Sequence, residues 1–280
     1  MKGNFFRLNS AANPEKERER DIMEQPILEI RDISVAFDGL VAVNRVSLSV
    51  RRGDIIAIVG PNGAGKTTLL KLITGLLPLF KGEIWFKQQR LDRIAPHRIA
   101  SLGITQVFQD IQLFSNMSVI ENVMVGCHVW TGADFLSTGL KLPWVRAEEG
   151  SILEAAMDKL SLVGLEQKAF AAPSSLSWGQ QKLLGLARAL AAGPELLLLD
   201  EPYGGLIADE MEKISQLILG LQCQGITVLI VEQLTGVVMS IANRVIVLNY
   251  GEKIAEGTPS EIQSNEQVIA TYLGNGLAGK

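Results

Sequence analysis

Histidine and cysteine are nearly missing from this 280-residue chain, which has two of each. Cys127 and Cys223 lie far apart, with no C-x-x-C and no spacing that would seat a metal. A disulfide framework and a structural zinc site are therefore excluded, and both thiols read as idle in a reducing cytosol. His97 and His128 both precede residue 200, so no imidazole stands in the C-terminal part of the chain. Long hydrophobic runs are absent as well. The richest, Leu196-Leu197-Leu198-Leu199 and Ile226-Thr227-Val228-Leu229-Ile230-Val231, are strand-sized and fall short of the ~20 residues needed to cross a bilayer. There is no excess of positive charge: the formal net charge of −4 argues against a nucleic-acid surface, a local basic patch aside. The N-terminus offers Phe5-Phe6 and then charges, without an apolar h-region or an A-x-A site, so no secretory signal is expected. The chain should be soluble, or held at a membrane by a partner.

What is present is a loop made for phosphate. Gly60-Pro61-Asn62-Gly63-Ala64-Gly65-Lys66-Thr67 satisfies G-x-x-x-x-G-K-[ST] at every fixed position. Average residue frequencies let about one chain in a hundred of this length match by accident, and the flanks make accident remoter. Ile55-Ile56-Ala57-Ile58-Val59 before it reads as a buried strand, and Thr68-Leu69-Leu70-Lys71-Leu72-Ile73 after it as the first turns of a helix. Strand, glycine-rich turn and helix N-terminus aim backbone N–H groups at one spot and favour a polyphosphate there. Lys66 would reach the β- and γ-phosphates, and the Thr67 hydroxyl would ligate Mg²⁺.

The surrounding pattern is mixed α and β. Residues 1 to about 25, with the run Glu15-Lys16-Glu17-Arg18-Glu19-Arg20-Asp21, read as a disordered tail, a short solvated helix being the other reading. Met23 is an alternative start. Leu28-Glu29-Ile30, Ile33-Ser34-Val35 and Val46-Ser47-Leu48-Ser49-Val50 alternate like strands of an antiparallel sheet with one solvated face. From about 112 to 192 the chain turns helical. Ile152, Leu153, Ala156, Leu160 and Val163 share a helix face, and a helix from Lys182 to Ala192 ends at Gly193-Pro194. Between Cys127 and Glu149, with Trp130, Phe135 and Trp144, the chain reads as a looser surface elaboration. Strands then alternate with helical stretches at 196–200, 226–231 and 245–248, which predicts a parallel sheet. Thr258-Pro259-Ser260-Glu261 is a capping box opening a last helix, about 259–273.

Two further stretches carry chemistry. The strand 196–200 ends in Asp200-Glu201-Pro202. Beside the phosphate loop, Asp200 would join the Mg²⁺ shell, and Glu201 would orient or deprotonate an attacking water. Without the loop, an ordinary strand end with an acidic turn would serve equally well. Leu176-Ser177-Trp178-Gly179-Gln180 precedes a helix and offers a second anion-binding surface, or simply a helix cap.

The phosphate loop, L-S-x-G-Q and LLLLDEP, in that order, resemble an ATP-binding cassette (ABC) ATPase, and Gln109 in Val107-Phe108-Gln109-Asp110 is similar to that family's glutamine loop. The likeness runs from about residue 27 to the end. It is most similar to the ATP-binding subunits of branched-chain amino acid importers in Phe37-Asp38-Gly39-Leu40-Val41-Ala42-Val43, His97-Arg98-Ile99-Ala100, the stretch from Asn116 to Val123 and the stretch from Gly251 to Pro259. The resemblance implies an α/β fold: a P-loop NTPase, RecA-like core with an antiparallel β subdomain and an inserted helical subdomain. It implies ATP and Mg²⁺, and a head-to-tail dimer in which each ATP lies between one chain's phosphate loop and the other's L-S-x-G-Q helix. The nucleotide-binding set is then Gly60, Pro61, Asn62, Gly63, Ala64, Gly65, Lys66, Thr67 and Thr68, with Ser177, Gly179 and Gln180 acting across the dimer. Gln109 would contact metal and water, and Phe37 would stack on adenine or else be a core phenylalanine. Glu201, Gln109 and Gln233 form the catalytic set; Thr67, Gln109 and Asp200 form the metal set. Integral membrane permease subunits are implied partners, at the cytoplasmic face of the inner membrane. Ile111, Leu113, Phe114, Met117 and Val119 are candidates for the groove that receives them, or else core. No nucleic acid is expected.

The chain departs from the family at two points. Where the family has a histidine after an acid, this sequence reads Glu232-Gln233. Glutamine donates a hydrogen bond but carries no charge, a loss on the order of 1–2 kcal/mol. Gly205-Leu206 is followed by Ile207 where the family has a polar residue at the dimer seam. Three readings stay open: a slow ATPase in which Glu201 suffices, the weaker half of an asymmetric pair with a different cassette, or an engineered glutamine. The second is favoured. A urea or amide importer and a non-hydrolysing regulatory module are the rival functions. A cassette acting on nucleic acid or ribosomes usually has a second cassette or a long coiled-coil insertion, and this chain has neither.

Overall fold

A computed structural model describes residues 25–37, 39–127 and 143–277. The tail, Met23, Asp38, His128, Trp130 and Phe135 lie outside the described residues.

Two sheets organise the molecule. Strands β1 (Pro26–Phe37), β2 (Leu40–Arg51), β4 (Lys81–Phe86) and β5 (Gln89–Arg90) form an antiparallel sheet in the order β2-β1-β4-β5. The second sheet has the order β10-β9-β3-β8-β7-β6. Its members are β3 (Ile55–Val59), β6 (Ile104–Val107), β7 (Leu196–Asp200), β8 (Thr227–Glu232), β9 (Arg244–Asn249) and β10 (Glu252–Gly257). Within it β9, β3, β8, β7 and β6 run parallel, and only β10 is antiparallel, to β9.

Side-chain alternation explains the layering. In β3, Ile55, Ala57 and Val59 face one core cluster while Ile56 and Ile58 face the other. In β7, Leu197 and Leu199 oppose Leu196 and Leu198 in the same way. A strand buried on both faces reads as a continuous apolar run, because every residue has a core to enter. One face is covered by the antiparallel sheet and α1 (Lys66–Ile73). Near that face α2 (Pro96–Ser101) places Ile99 in the same cluster. The other face meets α3 (Val119–Cys127), α4 (Pro143–Leu162), α5 (Trp178–Ala191), α6 (Ala208–Cys223) and α7 (Gly236–Ile241). The C-terminal pieces are α8 (Pro259–Gln263) and α9 (Glu266–Leu277).

Several sequence expectations need correction. The two short N-terminal strand segments are one strand, β1. Leu153 is 42% exposed while Ile152, Ala156, Leu160 and Val163 are buried, so the buried stripe follows the i, i+4 row and Leu153 lies beside it. Helix α4 begins at Pro143, so the stretch up to Glu149 ends in regular helix. Helix α5 starts at Trp178, one turn before Lys182, because Ser177 and Gln180 form a reciprocal capping box. The Thr258 capping box forms as expected, but its helix stops at Gln263 and a second begins at Glu266. Val119 is fully buried in the core, not in a groove.

Candidate functional site: the phosphate loop and its acids

Strand β3 delivers the chain to the loop and α1 carries it away, starting at Lys66. Gly65 sits at φ +96, and a Cβ there would lie 2.3 Å from the Ala42 carbonyl oxygen. Only glycine combines that left-handed geometry with so close an approach to β2. Lys66 is 5% exposed. Its ammonium donates to the Gly60 carbonyl at 2.9 Å and the Pro61 carbonyl at 3.1 Å, folding back over the loop. Burial pulls its pKa down, and the field of Glu201, Glu232 and Asp200 pulls it up.

A cavity of about 710 Å³ opens over the loop. Loop residues 62–68 and residues 40–42 of β2 line it, and Gln109, Glu201, Gln233 and Tyr250 complete its wall. Residues from six separate stretches of the sequence meet there. Parallel pairing makes this possible: Val59 stands level with Glu232, and Asp200 with Val231, so β3, β7 and β8 end together. Sites in open α/β sheets form at such carboxyl ends.

Two bonded pairs define the chemistry. The Thr67 hydroxyl donates to Asp200 Oδ1 at 3.1 Å. Asp200 is nearly fully buried, and that burial pushes its carboxyl above the usual range despite the Thr67 bond. A hydroxyl and a buried carboxylate beside a phosphate cradle are the hard oxygen donors that Mg²⁺ prefers, so these residues fit the metal. In the second pair, Gln109 Nε2 donates to Glu201 Oε2 at 2.7 Å. Glu201 holds φ +49, an uncommon geometry for a residue with a side chain. Its main chain donates to the Val231 carbonyl and accepts from Gly204.

Glu232 is 6% exposed, and its two oxygens accept from the Tyr203 N–H at 3.2 Å and the Gln233 N–H at 2.8 Å. Burial raises its pKa against those bonds. The carboxylate thereby pins the main chain of Gln233 while the Gln233 side chain lines the cavity.

Not every expected residue lies here. Phe37 is 40% exposed at the hairpin end and does not line the cavity; Tyr250, 79% exposed at φ +46, is the aromatic that does. Ser177, Gly179 and Gln180 stand at the start of α5, outside this cavity. Ile207 is 67% exposed as the residue preceding α6; its side chain has no oxygen for capping, so the Glu210 carboxylate accepts the Ile207 N–H instead, at 3.3 Å.

A second concavity, about 340 Å³, lies between Gln106 and Phe114 on one side and α3 and α5 on the other. Ile111 and Phe114 line it; Leu113 and Met117 do not. Its rim depends on Asn122, which is fully buried. The Asn122 amide accepts the Phe114 N–H and donates to the Phe114 and Ser118 carbonyls. Substituting Asn122→Leu removes these three bonds and a longer one to the Met117 carbonyl, and unfolding by urea should show a loss of about 2 kcal/mol.

Residues 43–204 match the ABC transporter family. The chain belongs to that family. It is an ATP-binding cassette, of the kind whose ATPase is coupled to transport. Residues 252–278 of the cassette also match the branched-chain amino acid ATP-binding cassette transporter family. The cassette is 38% identical over 253 residues to the high-affinity branched-chain amino acid transport ATP-binding protein LivG of Salmonella typhimurium, covering 90% of this chain and 99% of that one. It is 37% identical to BraF of Pseudomonas aeruginosa over the same shares. Among solved structures it is similar to the ADP conformation of the cassette MJ1267, with a TM-score of 0.78 at 31% identity, over 89% of this chain and 99% of that one. A post-hydrolysis dimer of MJ0796 bound to ADP and Pi gives a TM-score of 0.71 at 26% identity, over 83% and 98%. The sequence reading of an α/β P-loop cassette is borne out.

Proposed function

We propose that this cassette hydrolyses ATP to drive import of branched-chain amino acids through a permease at the cytoplasmic face of the membrane. The observation that carries the hydrolytic part is the convergence of Lys66, the Thr67–Asp200 pair and the Gln109–Glu201 pair on one cavity. The names of the relatives and the match of residues 252–278 support the substrate class. Among the described residues no helix is long and apolar enough to cross a membrane.

The phosphates lie against the main-chain N–H groups of residues 60–68, with the Lys66 ammonium on the terminal pair. Thr67, with Asp200 and Gln109 alongside, would hold Mg²⁺, which would supply charge neutralisation for the phosphates. Glu201 accepts a proton from the attacking water, and Gln109 holds that carboxylate in line. Ser177, Gly179 and Gln180 cap the ATP of a second cassette in a head-to-tail pair. A cytoplasmic helix of the permease occupies the concavity lined by Ile111 and Phe114.

Gln233 and the apolar Ile207 favour an asymmetric pair, in which this chain's own site is the weaker and its α5 completes the stronger site of a different cassette. Substituting Gln233→His should then raise turnover at this chain's site by about tenfold, the value of restoring one charge-assisted bond. Steady-state phosphate release with and without the partner cassette measures it. Reconstitution with the co-purifying permease in liposomes tests the whole reading. ATP-dependent uptake of labelled leucine is expected; uptake of urea with none of leucine would give the transporter to the rival substrate class.

A further inference from the structure

Lys182 is 7% exposed, yet its ammonium is bonded to a carbonyl rather than to a carboxylate. That carbonyl belongs to Glu201, 2.9 Å away. Burying a cation without a direct carboxylate partner costs several kcal/mol, and an apolar side chain of similar length would fill the space more cheaply. The charge therefore calls for a use. Its target is the one acid-bearing residue of the cavity whose backbone is left-handed.

We propose that Lys182 is a positioning residue for hydrolysis, fixing the Glu201 main chain, and so its carboxylate, to the helix whose first turn serves the partner's nucleotide. The inference rests on the hydrolytic reading of Glu201 given above.

Two neighbouring contacts reinforce the tie. Trp178 Nε1 donates to the Gly204 carbonyl at 3.3 Å, and the Lys182 ammonium lies 5.9 Å from the centre of the Trp178 ring. A Cβ on Gly179 would lie 2.2 Å from Glu210 Oε1, so the glycine lets α6 close against the start of α5. Helix α5 thus touches the segment after β7 at Glu201, Gly204 and Glu210. Farther along, Gly185 and Arg188 of the same helix line the concavity assigned to the permease. From Lys182 these stand three and six residues on, about 60° and 120° round the helix. One rigid helix consequently carries the cap for the partner's ATP, the tether on this chain's own base and a wall of the permease site. A shift of that helix must change where Glu201 points.

The test uses the full chain with its permease and a partner cassette silenced at its own phosphate-loop lysine, so that the kcat read is that of the site holding Glu201. Lys182→Met should lower kcat by about 10-fold to 100-fold, the range expected for a misplaced catalytic group, while the affinity for a fluorescent ATP analogue stays within about twofold. Lys182→Arg, which keeps the charge and a donor, should recover most of the rate. Thermal unfolding checks that the variants are folded. If Lys182→Met fails to fold, Lys182→Gln, which keeps a donor without the charge, is judged on the same two numbers. An unchanged kcat in the folded variant would overturn the role, as would a rise in the dissociation constant matching the fall in kcat. A wild-type complex that never hydrolyses ATP would overturn the hydrolytic reading together with it; active wild type beside an equally active variant overturns the lysine's role alone.

Discussion

Glu201→Gln should lower kcat for ATP hydrolysis at this chain's own site by a factor of about 10² to 10⁴, the usual worth of a positioned general base. The substitution is nearly isosteric. It keeps an amide or carbonyl in reach of Gln109 and leaves the main-chain bonds to Val231, Gly204 and Lys182 in place, since none of them involves the side chain. What disappears is the ability to take a proton. Nucleotide affinity should therefore hold within about twofold while turnover collapses, and cassettes should accumulate as ATP-loaded pairs visible by size-exclusion chromatography. Equal loss of affinity and rate would assign Glu201 to binding instead.

Lys66→Ala should weaken ATP binding by about 100-fold, corresponding to two charge-assisted bonds of about 1.5 kcal/mol each. In the folded chain this ammonium already bonds the Gly60 and Pro61 carbonyls, so the substitution also loosens the loop it spans. Arginine does not replace it: a planar fork cannot fold back into a space left 5% exposed. Titration calorimetry with ATP and Mg²⁺ measures the loss. Residual binding within about threefold of wild type would show that the main-chain N–H groups hold the phosphates unaided.

Those two residues were readable from the sequence because backbone geometry constrains their neighbours. A left-handed turn pressed on β2 requires Gly65, and a strand buried on both faces requires the leucines leading to Asp200. Capping boxes at Ser177 and Thr258 were legible for the same reason. Strand β4 was not, since only Ile84 and Phe86 of Lys81–Phe86 are fully buried and its partner β1 is distant in sequence. Asn122 and Lys182 were missed because a polar residue on a helix ordinarily faces water; their partners come from other segments. A signal existed for Lys182: it lies on the helical stripe of Gly185, Leu186 and Ala189, all buried. The choice between Phe37 and Tyr250 depends on how a hairpin tip and the β9–β10 turn approach the loop, which no local pattern encodes.

That approach is made largely by main chain, with one side-chain bond, from the Asn44 amide to the Glu252 carboxylate. Gly251 donates to the Ala64 carbonyl, Asn44 donates to the Gly251 carbonyl, and Gly65 abuts the Ala42 carbonyl. Because these seams do not use the side chains of Val41 and Tyr250, those two are free to change without slackening the hold on triphosphate. Preference among adenine, guanine and other bases can drift in such a scaffold while the energy-yielding end of the ligand is gripped as before.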